Sequence, residues 1–534
     1  MTRAHPPTPP SRPMTSRQHP GSPQSSQISV TAPRPFRPDV GVVGALCALC
    51  GLGVIVWIAL GLGRPLDAML AGLLYVAAMV VAGTRPMLAV PVLYGYMIFN
   101  RLLRRLLDWS FNEYSELPPT SLLTTAVALS LGLLVVRDWK HLPRRLRTAM
   151  VLIAAGVTYG LLVGCVYVDP RPALFETINW VGPLAVLLFV LRLRPTPETL
   201  KSWIRIIAIL TVIAGGYGWI QYTLLPPWDK FWVVNSGMGS IGQPEPFKVR
   251  FFGTFGAPGG MGMTCSVMVA LLLMLRPFRY GINWAFIIGL GICGLSSAVR
   301  SSWLTAFLCL GVFGLISRAG DKVRIVAMVI VMILGVGIIL PLLPNGEGLI
   351  NRISTLSSVS TDNSFQGRVG FSRWAVGAIS RQPWGYGMGS SGSASERMTG
   401  DQVTVVAFDN GFLQIPYALG LPGAALFVIG LVKLGHELRR TRPVSAEHQR
   451  LIRVAAALAL GHIVALAVAN FFRSDAAMLL YIVVAAAITA PAMATAPHPV
   501  RAAGPERQRV PVRRPPLSQR PVLAPRPATR SQTS

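Results

Sequence analysis

Two arginines flank a pair of apolar runs in a pattern suited to an anion. Arg250 opens Arg250-Phe-Phe-Gly253-Thr-Phe-Gly256-Ala-Pro258, which leads into an apolar run that turns at Arg276-Pro277-Phe278-Arg279. A second apolar run follows and ends in Ser296-Ser297-Ala298-Val299-Arg300. If both runs are helices of one hairpin, Arg250 and Arg300 lie at one face and the turn at the other. An arginine at that depth either snorkels as an interfacial anchor or pairs with phosphate, because its planar fork matches two oxygens at once.

Further polar chemistry gathers downstream. Gly367-Arg368-Val-Gly-Phe-Ser-Arg373-Trp374-Ala-Val-Gly-Ala-Ile-Ser-Arg381 sets Val369, Ala375, Val376 and Ile379 near helical spacing, the pattern of an amphipathic helix on a membrane surface. Arg368 and Arg373 either line an anion or acceptor site or rim that helix. The helix stops at Gln382-Pro383, and Trp384-Gly385-Tyr386-Gly387-Met388-Gly389 then reads as a flexible loop whose aromatics either stack on sugar rings or sit in a membrane belt. Asp409-Asn410 enters the next apolar run. Asp409 is a carboxylate able to take a hydroxyl proton, with an ordinary pKa of about 3.9. It is equally suited to capping the helix that follows. Asp169 and Glu176 share a turn with Arg171, where local pairing is expected.

These groups need a scaffold, and the composition says which kind. The chain has 534 residues, 52% hydrophobic and 13% charged, where soluble domains carry about 25% charged. Fourteen apolar runs of bilayer-crossing length centre on 41–63, 67–83, 86–100, 119–136, 148–168, 173–192, 202–225, 258–275, 282–299, 302–318, 323–343, 408–432, 451–472 and 474–490. The expected fold is an all-α polytopic membrane protein with about 12–14 transmembrane helices. The expected organisation is a polar tail over 1–39, a bundle over 40–490 and a basic tail over 491–534, both tails disordered. The first apolar run starts too late and is too long for a secretory leader.

A formal net charge of +28 is spread over short loops and tails, which fits anionic lipid contact and not nucleic acid. Basic residues at Arg137–Arg147, Arg192–Arg205, Arg276–Arg279, Arg318–Arg324 and Lys433–Arg453 recur every second connection, so these and both termini are expected to be cytoplasmic. The connections 226–257 and 344–407 then fall outside, the larger one carrying short helices. Arg101, Arg104 and Arg105 are the exception, three arginines on the outer side near Asp108, Glu113 and Glu116. Six cysteines lie inside apolar runs, and Cys47-x-x-Cys50 has no second pair, so packing is expected there. Neither a phosphate-binding glycine loop nor a paired-aspartate metal motif occurs, so no cofactor or metal is expected. The runs carry few ionisable groups, which favours chemistry at the surface over a transporter or flippase.

The order and common side of these motifs resemble the O-antigen ligase and O-antigen polymerase superfamily of bacterial membrane glycosyltransferases. The resemblance rests on Arg250-x-x-Gly253 with Pro258, Ser297-x-x-Arg300, Gly367-Arg368 with Trp374, Pro383-x-Gly385-x-Gly387, and Asp409-Asn410 leading to Gly420-Leu-Pro-Gly423, and it covers roughly residues 200–430. It implies transfer of a saccharide from a polyprenyl diphosphate donor to a saccharide acceptor at the periplasmic face of the inner membrane. It further implies Arg250 and Arg300 on the diphosphate and Asp409 as base, with Arg368, Arg373, Trp384, Tyr386 and Asn410 about the substrate. A chain-length regulator and a flippase are the protein partners it brings to mind. Ligases of the family carry His-Asn where this chain has Asp409-Asn410, and no histidine lies in 344–407. The expectation is therefore a polymerase of undecaprenyl-diphosphate-linked repeats for exopolysaccharide or O-antigen, with a ligase or protein oligosaccharyltransferase as the alternative.

Overall fold

The computed structural model describes residues 36, 38–115, 118–238, 241–318, some positions of 320–330, 363–392, 408, 410–468 and 475–489. Every described element is helical except one isolated antiparallel bridge, Gly242 to Val249. The helices are α1 Val40–Ala59, α2 Pro65–Thr84, α3 Pro86–Ser110, α4 Pro119–Val136, α5 Arg144–Tyr167, α6 Pro170–Leu193, α7 Pro197–Leu224, α8 Pro227–Asn235, α9 Pro258–Leu275, α10 Tyr280–Ser296, α11 Arg300–Ile316, α12 Asn363–Arg381, α13 Gly411–Arg440, α14 Ala446–Ala465 and α15 Asp475–Thr489. Nine of the described helices are long and apolar enough to cross a membrane, and the shorter Tyr280–Ser296, Arg300–Ile316 and Ala477–Thr489 are apolar as well. The protein is an all-α polytopic membrane protein. Each expected span falls on a described helix except 323–343, which lies largely outside the described residues. Residues 344–362 and 393–407, the basic tail and all but residues 36, 38 and 39 of the polar tail also lie outside them.

Proline punctuates the bundle. Pro65, Pro86, Pro119, Pro170, Pro197, Pro227 and Pro258 all sit in the first turn of their helices, where the missing N–H would have no partner anyway. Short connections then send consecutive helices back across the bundle. α9 is the core, with 89% of its apolar window buried, whereas α1 lies at the rim with only Val43 buried. In lipid, helices associate through close backbone approach, because burying apolar surface gains little there. The α5–α13 pair shows it: a Cβ on Gly156 would stand 2.5 Å from the Gly423 carbonyl, and one on Gly430 2.8 Å from the Ala149 carbonyl. α13 itself bends at Gly420, whose φ of 65° lies in the left-handed region open to glycine.

The ends of α3, α5, α7, α10 and α14 meet the starts of α2, α4, α6, α9, α11 and α13 at one end of the bundle. That end carries the Arg250–Gly256 loop, the Ser297–Arg300 elbow, the Trp384–Gly389 segment and Asn410. Cross-links between distant segments confirm the grouping: Arg64 to Asp108, Arg105 to Asp229, Arg250 to the α10–α11 turn, Gly389 to Glu176, and Gly411 to Leu466.

Candidate functional site

The Arg250 segment is seated by buried charge. The α3 residue Arg105 pairs through Nη1 with Asp229 of α8 at 2.9 Å, with the two side chains 1% and 0% exposed. Its Nη2 donates to the Gly253 carbonyl at 2.7 Å, and the guanidinium lies over the Phe252 ring and near Trp232. Asp229 also accepts from Tyr217 at 2.5 Å, and Tyr217 accepts from Trp228 Nε1. Burial pushes the Asp229 carboxyl up, while the Arg105 charge opposes that shift. From α7, Gln221 takes the Gly253 N–H on Oε1 at 3.0 Å and donates Nε2 to its carbonyl at 3.3 Å. Gly253 has φ 58°, and a Cβ there would stand 2.5 Å from the Ala214 carbonyl. The glycine of Arg250-x-x-Gly253 is thus required twice, by backbone conformation and by contact with α7.

Arg250 is half-buried. Its N–H donates to the Ile241 carbonyl at 2.6 Å, and its Nη2 reaches the carbonyls of Ser297 and Ala298, both at 3.2 Å. These two residues form the elbow between α10 and α11, where Ala298 takes φ 55°. Trp303 Nε1 donates to the Gly294 carbonyl at 3.0 Å, and Gly262 of α9 touches the Ser297 and Ser302 side chains. Arg300 is the first residue of α11, half-buried, one residue beyond the elbow that Arg250 braces. The structure therefore joins the Arg250 and Arg300 segments. Arg250 acts in part through backbone carbonyls, a role the sequence did not announce.

The second region is built by α12, α13 and the strap between them. α12 forms as expected, but Phe371, Ala375, Ala378 and Ile379 face the protein while Val376 is 53% exposed. Arg368, Arg373 and Arg381 are exposed on it. The segment 383–392 is not a free loop. Met388 N donates to the Gly160 carbonyl, Tyr386 N to the Tyr417 carbonyl and Leu421 N to the Pro383 carbonyl, at 2.8, 2.8 and 2.7 Å. Gly385, Gly387, Gly389 and Gly392 have φ of 92°, 87°, 86° and 102°. A Cβ on Gly387 would overlap the Gly164 backbone, and one on Gly389 would stand 2.7 Å from Ala173 N. Glycine here serves close approach to α5 and α6, not freedom.

Glu176 of α6, 3% exposed, holds the strap's end. Its carboxylate accepts from Gly389 N at 3.0 Å and from Ser391 Oγ at 3.3 Å, and Gln414 of α13 donates to Ser391 Oγ at 2.9 Å. The expected pairing of this carboxylate with Arg171 gives way to the strap, whereas Asp169 does act locally, capping α6 through Arg171 N. Tyr386 stacks on Tyr417 at 4.4 Å and 12°, so that face of its ring is taken by protein. Trp384 remains 48% exposed. Trp228 and Trp232 have internal partners in Tyr217 and Phe252. Asn410 caps α13, its Oδ1 accepting from Phe412 N at 2.9 Å, the task the sequence offered to Asp409. Asp409 itself lies outside the described residues.

Arg105, Asp229, Gln221 and Glu176 were missed as site residues. For the first two a signal existed: arginines on the side that the charge rule forbids must be neutralised within the protein. Arg64 with Asp67 and Asp108, and Arg104 with Asp108, complete that neutralisation. Glu176, a lone carboxylate inside an apolar run, carried a similar signal.

Guanidinium groups at one end of an apolar bundle suit a ligand rich in phosphate oxygens. No curated protein matches the chain. Residues 262–428 match the family model for the O-antigen ligase domain, a segment that contains Arg300, Arg368, Arg373, Trp384, Tyr386 and Asn410 and begins just after the Arg250 motif. That match supports ligase- or polymerase-type activity on a lipid-linked saccharide in general. Over that segment the chain is similar to the O-antigen ligase family, and the match supports a place in the O-antigen ligase and polymerase superfamily.

Proposed function

We propose that the protein polymerises undecaprenyl-diphosphate-linked oligosaccharide repeats, at the periplasmic face of the inner membrane, for O-antigen or exopolysaccharide. One observation carries the reading: Arg250 is tied to the elbow from which Arg300 starts, so two arginine-bearing segments are set together at the motif-bearing end. In the reaction, an acceptor hydroxyl attacks the anomeric carbon of the donor. The bond from that carbon to the diphosphate breaks, and the lipid diphosphate leaves with the electron pair. The hydroxyl proton passes to Asp409. Arg250 and Arg300 stabilise the charge that grows on the diphosphate, a contribution of about 3–4 kcal/mol for each well-placed donor. Arg368 and Arg373 on exposed α12, with Trp384, meet the saccharide, and Asn410 fixes the chain beside Asp409.

The test uses the full chain in proteoliposomes with lipid-linked repeat alone. Ladders of lengthened product are expected, abolished by Asp409→Ala, reduced about 100-fold by Arg300→Ala, and unchanged in EDTA. Transfer only to added lipid A core would establish instead the ligase reading. Full activity of both Arg250→Ala and Arg300→Ala would remove the diphosphate assignment.

A further inference from the structure

A buried ion pair is a poor way to gain stability. Desolvating each ion costs several kcal/mol, and apolar residues of similar volume often do as well. Arg105 and Asp229 are nonetheless sealed from solvent at the motif-bearing end, and their geometry indicates a purpose. One guanidinium links three elements: α3, which carries it, α8 through Asp229, and the Arg250 loop through the Gly253 carbonyl. The planar fork fixes the angle between its partners, which a lysine ammonium does not. Gln221 closes on the same residue from α7, engaging both the N–H and the carbonyl of Gly253. Next to it, Thr254 Oγ1 donates to the Ile98 carbonyl of α3 at 2.7 Å. Gly253 is therefore fixed from two helices, α3 and α7, with α8 behind Arg105, three residues after Arg250.

We infer that Arg105 and Gln221 are positioning residues for Arg250, setting where its guanidinium lies through the backbone of Gly253 and not by touching substrate. The inference rests on the diphosphate reading of Arg250 given above. A loop between two anchors has few ways to move: Arg250 N is bound to Ile241 on one side and Gly253 is clamped on the other. Loosening the clamp lets the guanidinium swing on the intervening Phe251-Phe252, and a displacement of about 1 Å at a positioning group costs on the order of 100-fold.

A double-mutant cycle on donor kcat/KM, with the full chain in proteoliposomes and lipid-diphosphate-linked repeat as donor, distinguishes positioning from mere folding support. Arg105→Lys keeps a cation for Asp229 but gives up the fixed fork to Gly253. It is expected to lower kcat/KM about 10- to 100-fold in the native background. In the Arg250→Ala background it should change it by less than about 2-fold, because the group it positions is gone. Gln221→Met, which severs both bonds to Gly253 and one to Asp229 but keeps both charges of the Arg105–Asp229 pair, should show the same non-additivity and serves if Arg105→Lys does not fold. Arg64→Lys alters a buried pair at the same end that does not touch the loop, and should not couple to Arg250→Ala. Equal losses in both backgrounds for Gln221→Met or a folded Arg105→Lys would overturn the inference while leaving the diphosphate reading intact. Unchanged turnover by Arg250→Ala would overturn both.

Discussion

The Arg250–Gly256 loop and the Trp384–Gly389 strap are both non-helical segments seated on helices remote in sequence, and they are held by opposite means. The loop is gripped by side chains: the fork of Arg105, the amide of Gln221, and the aromatic rings of Trp232 and Phe252. The strap is held where side chains are missing, its glycines letting backbone meet backbone on α5 and α13. Glu176 is its principal side-chain anchor among the described residues. A polar grip fixes orientation and is costly to leave half-made. Close backbone contact fixes position and has no tolerance for added volume.

If that contrast is right, the strap should be the more brittle to added atoms. Gly387→Ala places a Cβ against the Gly164 backbone at a φ of 87°. Its destabilisation should exceed about 4 kcal/mol, in the exceptional range for one substitution. Thermal unfolding in detergent checks it, and a folded, near-native protein would end the claim. The loop should instead suffer most from subtraction. Asp229→Ala leaves Arg105 charged and buried, with an expected loss of about 3–5 kcal/mol by the same melts. Glu176→Gln sharpens the comparison, since it removes one charged acceptor and leaves the strap's backbone contacts intact. A loss of about 1–2 kcal/mol is expected, and a loss as large as that of Asp229→Ala would show that the strap, too, depends on charge. The smallest effect should come from Gly377→Ala on α12, where nothing lies within 4 Å of the added Cβ. There the helix should gain about 0.5 kcal/mol, the opposite sign to Gly387→Ala.

The helices were legible because length and apolarity are local properties, so the runs from 41 to 318 and from 408 to 490 marked their elements closely. The charge alternation likewise told which ends belong together. What it could not tell was how the exception at Arg101–Arg105 is resolved, since Asp229 lies far along the chain. The glycines of 385–392 were read as freedom because composition alone cannot separate a flexible glycine from one chosen to let two backbones touch. The face of α12 was legible only in part: Ala375 and Ile379 pack inward as expected, but the more apolar Val376 is exposed, and small Ala375 and Ala378 are what fit beneath Phe408 and Tyr417. The cap was expected at Asp409, and only the geometry shows Asn410 taking that place.

The strap also bears on the order in which the molecule is assembled. It lies between helices made early and one made late: Met388 bonds to Gly160 and Gly389 to Glu176, while Tyr386 and Pro383 bond to α13. Synthesis delivers the Gly160 and Glu176 partners more than 200 residues before the strap, and α13 is the next described helix after it. The α5–α13 contact brings Gly156 against Gly423, and the strap bonds to both of these helices. The strap's full set of contacts therefore cannot form until α13 has been made. Contacts between residues so far apart form slowly. The strap's seat is completed only with α13, and a chain stopped before it would leave Gly156 of α5 without its Gly423 neighbour.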